Sequence, residues 1–357
     1  MVNKLNRTFK LTIQDADQNS VYYEPTLIND SNLRLTPATK DVVNNKSLPK
    51  TGKNAMVLEI PFTIEIDVNS LISDGYANTT SIKIYGLEET SRNRLFWNPW
   101  NLAIIENGDS SYRKVILEAG YGTNIYQIFE GVLTRGYSER EGVEWATNLT
   151  CLTSAVGFYN TFINRSYEAS TKQIDVINDI ITEMSKYGDL KKGAVTDTLD
   201  KTYTQGISIV EQSYNVLTQF GVDVFVSNGK INLLQVNEAI GASKTTDNVS
   251  APINNALVNK LGLQVPNISA DTGLIGTPIL NGDGFITVSM IFEPTIKLGT
   301  LVNLESVTAS FFNGYFKVMG VNHKGVISSS KEGMLITTLK LFNGGSLFNN
   351  FNIVAPS

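Results

Sequence analysis

The apolar positions of this chain change period twice along its length. Leu5, Phe9, Leu11 and Ile13 open it, alternating with polar residues from Phe9 onward, a spacing that predicts a half-buried strand. From 14 to 53 polar and turn-forming residues dominate, among them Asn29-Asp30-Ser31-Asn32 and Asn44-Asn45-Lys46, and the expectation is a long arm or large surface loop. Residues 56 to 68 restore the alternation: Leu58, Ile60, Phe62, Ile64, Ile66 and Val68 interleave with Glu59, Pro61, Thr63, Glu65 and Asp67. Pro61 has no amide hydrogen for a ladder, so this reads as one strand that is an edge strand or is bulged at the proline. Further strands are predicted at 81–85, 114–119, 126–137 and 143–152, the last with Val143, Trp145, Thr147, Leu149 and Cys151 on one face.

The period then becomes 3.6. Ile174, Ile177, Ile180, Ile181 and Met184 share a helical face, Ser170 with Gln173 makes a capping-box pattern, and Gly188 is a stop. A second helix is predicted to open at Ser208 with Glu211, to carry Val210, Tyr214, Leu217 and Phe220, and to close at Gly221. Val222, Val224 and Val226, then Asn228-Gly229, then Ile231 and Leu233 form the strongest hairpin signal in the chain. After a polar connection the alternation returns at 285–292, 301–304, 315–322 and 334–342. The fold expected is a β-rich α+β arrangement: two small antiparallel β-barrels with a helix-containing α+β domain between them. The boundaries expected are 1–155 for the first barrel with its polar arm at about 14–53, 156–240 for the α+β domain, 241–265 for a linker and 266–357 for the second barrel.

Composition narrows the function. With 357 residues, 42% hydrophobic and 18% charged, the chain has the makings of two or three packed units rather than one core. Lys+Arg number 29 against 34 Asp+Glu, a formal net charge of −5, with no basic block, which disfavours tight binding of nucleic acid. Cys151 is the single cysteine, so no intrachain disulfide forms and reducing assembly conditions are expected. No apolar run reaches the ~18 residues of a membrane span, and the N-terminus lacks a secretory pattern, so a soluble, unsecreted protein is expected.

Candidate chemistry is sparse. His323 is the only histidine and has no Gly-X-Ser-X-Gly elbow to serve; it reads as a surface or hydrogen-bonded structural residue. Asp15-Ala16-Asp17-Gln18-Asn19 starts like a calcium loop but has Ser20 at position six and Thr26 at position twelve. Glu88-Glu89 and the Glu139, Glu141, Glu144 group offer paired carboxylates for glycoside hydrolysis, although 138–142 also reads as a charged hairpin tip. Asn281-Gly282-Asp283-Gly284 and the glycines at 273 and 276 read as turns, not phosphate cradles. Phe96-Trp97-Asn98-Pro99-Trp100 is an aromatic cluster suited to packing, to a subunit contact or to stacking a sugar. No catalytic, metal or cofactor site is predicted.

Two segments look familiar. Val115-Ile116-Leu117-Glu118-Ala119-Gly120-Tyr121, then Ile128-Phe129-Glu130-Gly131-Val132, then Gly142-Val143-Glu144-Trp145-Ala146-Thr147 resembles the first tube-forming barrel of the baseplate hub proteins of contractile-tail bacteriophages. The residues that carry it are Gly120, Tyr121, Phe129, Gly131, Trp145 and Thr147. The stretch from Ala270 through Gly273, Gly276 and Pro278, on to Phe292-Glu293-Pro294, Gly299 and Leu304-Glu305-Ser306, is similar to the opening of the second barrel of that family. The resemblance covers about half the chain and carries no catalytic residue. It implies a structural virion protein, assembled in the host cytoplasm: a homotrimer whose two barrels per subunit give pseudo-sixfold symmetry. Its partners would be a tail tube protein above, a central spike protein below and other baseplate proteins, with DNA passing the lumen without specific binding. Two rival readings stand beside it: a cell-wall hydrolase using Glu139, Glu141 and Glu144, and a carbohydrate- or receptor-binding module using Trp97 and Trp100. Removal of 14–53 is expected to leave the fold intact and to weaken assembly.

Overall fold

The computed structural model describes residues 6–14, 23–26, 34–37, 55–72, 78–96, 113–153, 161–185, 190–196, 199–227, 229–240, 249–252, 258, 264–329, 332–343 and 350–354. The chain divides into two compact units, neither contiguous in sequence. The first comprises Met1–Val68, Thr79–Thr153 and Lys324–Leu335, and the second Asn69–Asn78, Ser154–His323 and Ile336–Ser357.

The first unit is a largely antiparallel sheet. Its strands are β1 (Arg7–Gln14), β2 (Tyr23–Thr26), β3 (Arg34–Pro37), β4 (Ala55–Glu59), β5 (Thr63–Leu71), β6 (Thr79–Tyr85), β7 (Lys114–Tyr121), β8 (Asn124–Glu141) and β9 (Glu144–Leu152), with helix α1 (Glu89–Leu95). The spatial order is β5-β6-β9-β8-β7-β1-β4-β2-β3. Alternation does what the sequence expects of it: Phe9, Leu11 and Ile13, Ile64, Ile66 and Val68, and Thr147, Leu149 and Cys151 all turn inward. Each aliphatic side chain buried this way contributes about 1.5–3 kcal/mol of transfer free energy.

Three local features depart from the expected pattern. Residues 56 to 68 form two strands, not one: the Ile60-Pro61 bond is cis, Phe62 N–H donates to the Glu59 carbonyl at 3.1 Å, and β4 and β5 take different partners. The even-numbered apolar residues continue through the turn, so alternation alone could not reveal it. β8 carries two bulges, because Leu117 and Glu118 face Phe129 and Gln127, and Cys151 and Thr150 face Leu133 and Arg135. The second bulge, at Thr134, shifts inward-facing positions from Phe129, Gly131 and Leu133 to Gly136. On β9 the shared face leaves the core at the hairpin tip, where Val143 is 90% exposed. Most of 14–53 lies outside the described residues, but β2 and β3 within it pair antiparallel.

The second unit has an α+β part and a β part. The α+β part contains β10 (Phe162–Tyr167), α2 (Gln173–Ser185), β11 (Lys191–Val195), β12 (Ile207–Gln212), α3 (Ser213–Gln219), β13 (Asp223–Ser227), β14 (Lys230–Leu234), β15 (Glu238–Ile240) and β16 (Val249–Pro252). Val176, Ile177, Ile180, Ile181 and Met184 of α2 pack with Val216, Leu217, Ile231 and Leu233. The predicted capping box is not formed: Ser170 sits at φ 73, and its N–H donates to the Tyr203 carbonyl. The second helix begins later than expected. Ser208 and Glu211 lie in β12, paired with β10, because Ile207, Ile209 and Val210 favour a strand, and the helix retains only Ser213–Gln219 before Gly221. The 222–233 hairpin forms with Ser227 opposite Lys230.

The β part contains β17 (Asn267–Ser269), β18 (Leu274–Leu280), β19 (Ile286–Ile291), β20 (Leu301–Glu305), β21 (Gly314–Ile327), β22 (Leu335–Phe342) and β23 (Asn350–Val354). Its main order is β18-β19-β22-β21, with β20 on β21 and β17 parallel to β20, while β23 lies between β15 and β16. Val288, Met290, Val302, Leu304, Val318 and Leu339 form its core. From Lys324 onward β21 belongs to the first unit, where Lys324 pairs with Asp67 at 2.8 Å. Among the described residues neither unit's strand order closes into a barrel: β3 ends that of the first unit and β18 ends that of the β part.

Candidate functional site

The residues that carry the first motif fall on three neighbouring strands. Register places Gly120 opposite Ile125, Tyr121 opposite Asn124, Gly131 opposite Val115, Thr147 opposite Ser138 and Trp145 opposite Arg140. Gly120 is dictated by space, since a Cβ there would stand 1.9 Å from the Asn124 carbonyl oxygen. The Phe-x-Gly pair has a related cause: a Cβ on Gly131 would stand 2.5 Å from Cζ of Phe129 and 2.4 Å from the Leu152 carbonyl oxygen. The aromatic ring covers the bare Cα two residues along on the same face. Thr147, fully buried, shares a hydrogen bond with the Ser138 hydroxyl at 3.0 Å. Trp145 takes the Arg92 guanidinium over its ring at 4.3 Å, which fastens α1 to the β8–β9 hairpin.

The second motif is spread over turns of the second unit. Gly273 has φ 106 and accepts the Ile291 N–H at 2.8 Å; Gly276, at φ 72, lies in the irregular stretch of β18 with buried Pro278. Pro294 is buried after β19. Gly299 has φ 75, and a Cβ there would meet the Phe225 ring at 2.6 Å, so β13 closes against the loop before β20 only over a glycine. All eleven motif residues thus occupy strands and turns, as positions of packing or backbone shape.

The candidate chemical groups are occupied differently. His323 is 3% exposed; its Nδ1 lies 2.9 Å from the Thr337 hydroxyl, and Phe292 stacks edge-on at 5.2 Å. The Thr337 oxygen accepts the Glu293 N–H at 2.9 Å, leaving its hydrogen for Nδ1. Burial pushes the imidazole down to about 3, so it is neutral and structural. Of the carboxylate group, Glu139 accepts from Asn148 at 2.8 Å, and Glu141 pairs with Lys83 and accepts from the Tyr85 hydroxyl at 3.3 Å. The same hydroxyl donates to Glu65 at 2.8 Å; burial first, then this bond, drives the phenol upward. Glu144 stands opposite Glu141 across the turn. Glu88 and Glu89 are exposed at the start of α1, a favourable place for negative charge at a helix N-terminus. The Asp15–Asn19 stretch, Trp97 and Trp100 lie outside the described residues, and Phe96 is exposed. Among the described residues, no group of three His, Cys, Asp or Glu is placed to hold a metal ion, and no helix is long and apolar enough to cross a membrane.

One buried polar cluster was not anticipated. Lys317 of β21 is wholly buried, with Nζ 3.0 Å from Asp223 of β13 and donating to the carbonyls of Gln235 at 3.1 Å and Val236 at 3.3 Å. Burial pulls its ammonium group down, while Asp223 and then Glu238 oppose that. Glu238, also buried, accepts from the Thr196 hydroxyl at 2.7 Å and the Gln235 N–H at 2.8 Å. The cluster ties the β13–β15 segment to the central strand of the β part. The signal that could have found it is a lysine inside Tyr315-Phe316-Lys317-Val318-Met319, an otherwise apolar run.

Comparison with known proteins places these features. The chain is similar to the 43 kDa tail protein of prophage MuSo2 from Shewanella oneidensis, with 8% identity, TM-score 0.48, and 81% of this chain and 94% of that one covered. It is similar to a tail protein from Neisseria meningitidis, with 9% identity, TM-score 0.48, and 79% and 95% covered. A third similar structure is an Escherichia coli component of the type VI secretion system, described as resembling the T4 tail proteins gp27 and gp5, with 8% identity, TM-score 0.44, and 78% and 73% covered. No curated protein matches by sequence. The family model described as baseplate hub gp41 matches residues 47–332. By that match, which spans both motif regions and the α+β part between them, the chain belongs to the baseplate hub gp41 family.

Proposed function

We propose that this protein is a non-enzymatic subunit of a contractile-tail baseplate hub, forming a homotrimeric ring that joins a hexameric tail tube above to a central spike below. The observation that carries the reading is the family match over residues 47–332, which runs through both β regions. In this reading the regions 1–155 and 266–357 are tube-type barrels, the motif residues shape them, and 156–240 is the α+β domain between. Two such barrels in each of three subunits present six similar elements to a sixfold tube. DNA passes the lumen without specific binding, which suits a chain of net charge −5 whose Lys83, Lys114 and Lys324 are engaged by Glu141, Glu130 and Asp67. The virion tail is the site of action, after assembly in the host cytoplasm. Native mass spectrometry of the purified chain, alone and with its tube and spike proteins, tests this. A trimer, alone or on adding partners, is the expected result; a monomer that ignores both partners would overturn it.

A further inference from the structure

β23 is an inner strand held by two neighbours that do not pair with each other. Its Ile353 stands opposite Ala239 of β15, to which β23 runs parallel, and opposite Val249 of β16, to which it runs antiparallel. The two neighbours are secured unequally. Every residue of β15 has a second anchor: Glu238 is buried and accepts from the Thr196 hydroxyl and the Gln235 N–H, Ala239 is fully buried in a cluster with Leu301 and Tyr315, and the Ile240 N–H donates to the Gly299 carbonyl at 2.7 Å. β16, by contrast, has β23 as its only strand partner among the described residues. Taking β23 away leaves β15 in place and deprives 249–252 of the ladder that ties it to β15.

The attachment of β23 is also short. Three residue pairs join it to β15 and four to β16, against six between β19 and β22, so it belongs with the elements that open before a core strand does. The sequence that leads to it from β22 includes Gly344 and Gly345, the residue type that regains most backbone freedom when a strand is released. Once β23 has left, the N–H and C=O groups it satisfied on β15 and β16 lack partners, and an extended backbone laid between the two is the one arrangement that satisfies both rows together.

We infer that β15 and β16 form a strand-accepting site whose ligand is an extended peptide segment, and that β23 is its releasable occupant, a strap that holds 249–252 to β15. The device works within one chain and is independent of the hub's oligomeric state. The test is hydrogen exchange read by mass spectrometry on the full native chain and on an Asn352→Pro variant, which removes an amide from the middle of an inner strand. A fluorescent peptide with the sequence of residues 348–357 is the probe for the site. In the native chain the amides of 249–251 and 350–354 exchange together, at least about tenfold faster than those of β22. In the variant 249–251 lose protection at least about tenfold further while β22 keeps its own, and the peptide binds, but not when it carries the same proline. Native 350–354 as protected as β22 would overturn the release, whether or not the variant folds. Protection of 249–251 that survives in the folded variant would overturn the strap, and a folded variant that ignores the peptide would overturn the site.

Discussion

The buried histidine makes the stability of the second unit depend on pH in a calculable way. His323 titrates near 6.5 in an unfolded chain and near 3 in the fold, because burial penalises the charged ring, which lies beside the Thr337 hydroxyl and against Phe292. Above pH 6.5 neither state binds the proton and the residue contributes no pH dependence. Below it the unfolded chain gains a proton that the folded chain refuses, so stability falls as pH drops, by about 1.4 kcal/mol per pH unit, until the folded value is reached. Between pH 7.5 and pH 5 the loss from this one residue is about 2 kcal/mol. Urea denaturation at several pH values across that window, for the native chain and a His323→Gln variant, isolates the effect, because carboxylates titrate alike in both proteins. The variant is less stable at pH 7.5 but its curve is flatter, and the two curves converge toward pH 5. Parallel curves would refute the reasoning, since they would mean that the folded imidazole accepts the proton as readily as the unfolded one.

Three further outcomes follow from positions described above. Gly131→Ala drives a methyl into the Leu152 carbonyl and the Phe129 ring and lowers stability by about 1–3 kcal/mol in thermal denaturation, whereas Gly142→Asn, at a tip with open space and φ 62, costs much less. Lys317→Met removes the partner of a carboxylate that is 14% exposed and costs about 3 kcal/mol; adding Asp223→Leu recovers part of that loss, and a double variant no more stable than the single one would count against a coupled pair. Replacing residues 15–54 by an Asn-Gly turn leaves the protein folded, with circular dichroism losing only the strand signal of β2 and β3, because Gln14 and Ala55 are already register partners, and weakens hub assembly. Unfolding of that deletion would contradict it.

Much of the β architecture is readable because half-buried strands write their period into the sequence. Ile64, Ile66 and Val68 point inward as their spacing demands, and so do four of the five residues assigned to the first helical face, with Val176 buried where Ile174 is only partly covered. The period misleads where a backbone event leaves it undisturbed. The turn at Pro61 keeps even-numbered residues apolar on both sides, and the Thr134 bulge changes parity in a strand too rich in apolar residues to show it. At 207–212 a helical capping pattern competes with β-branched residues, and pairing with β10 holds the segment extended as β12. The motif glycines are visible as letters, but the reason for them is not: the Asn124 carbonyl beside Gly120 and the Phe225 ring over Gly299 are neighbours only in space. Lys317 stays hidden for the same reason, since Asp223 lies far from it in sequence.

The division of the chain into two units has a mechanical side. The backbone passes from one to the other after residues 68, 78, 153, 323 and 335. A pull applied to one unit is therefore shared among five covalent crossings instead of falling on a single linker, and neither unit can be drawn away as a bead on a string. For a member of a baseplate hub family, that is resistance to tearing obtained from connectivity alone, without a disulfide or any added contact.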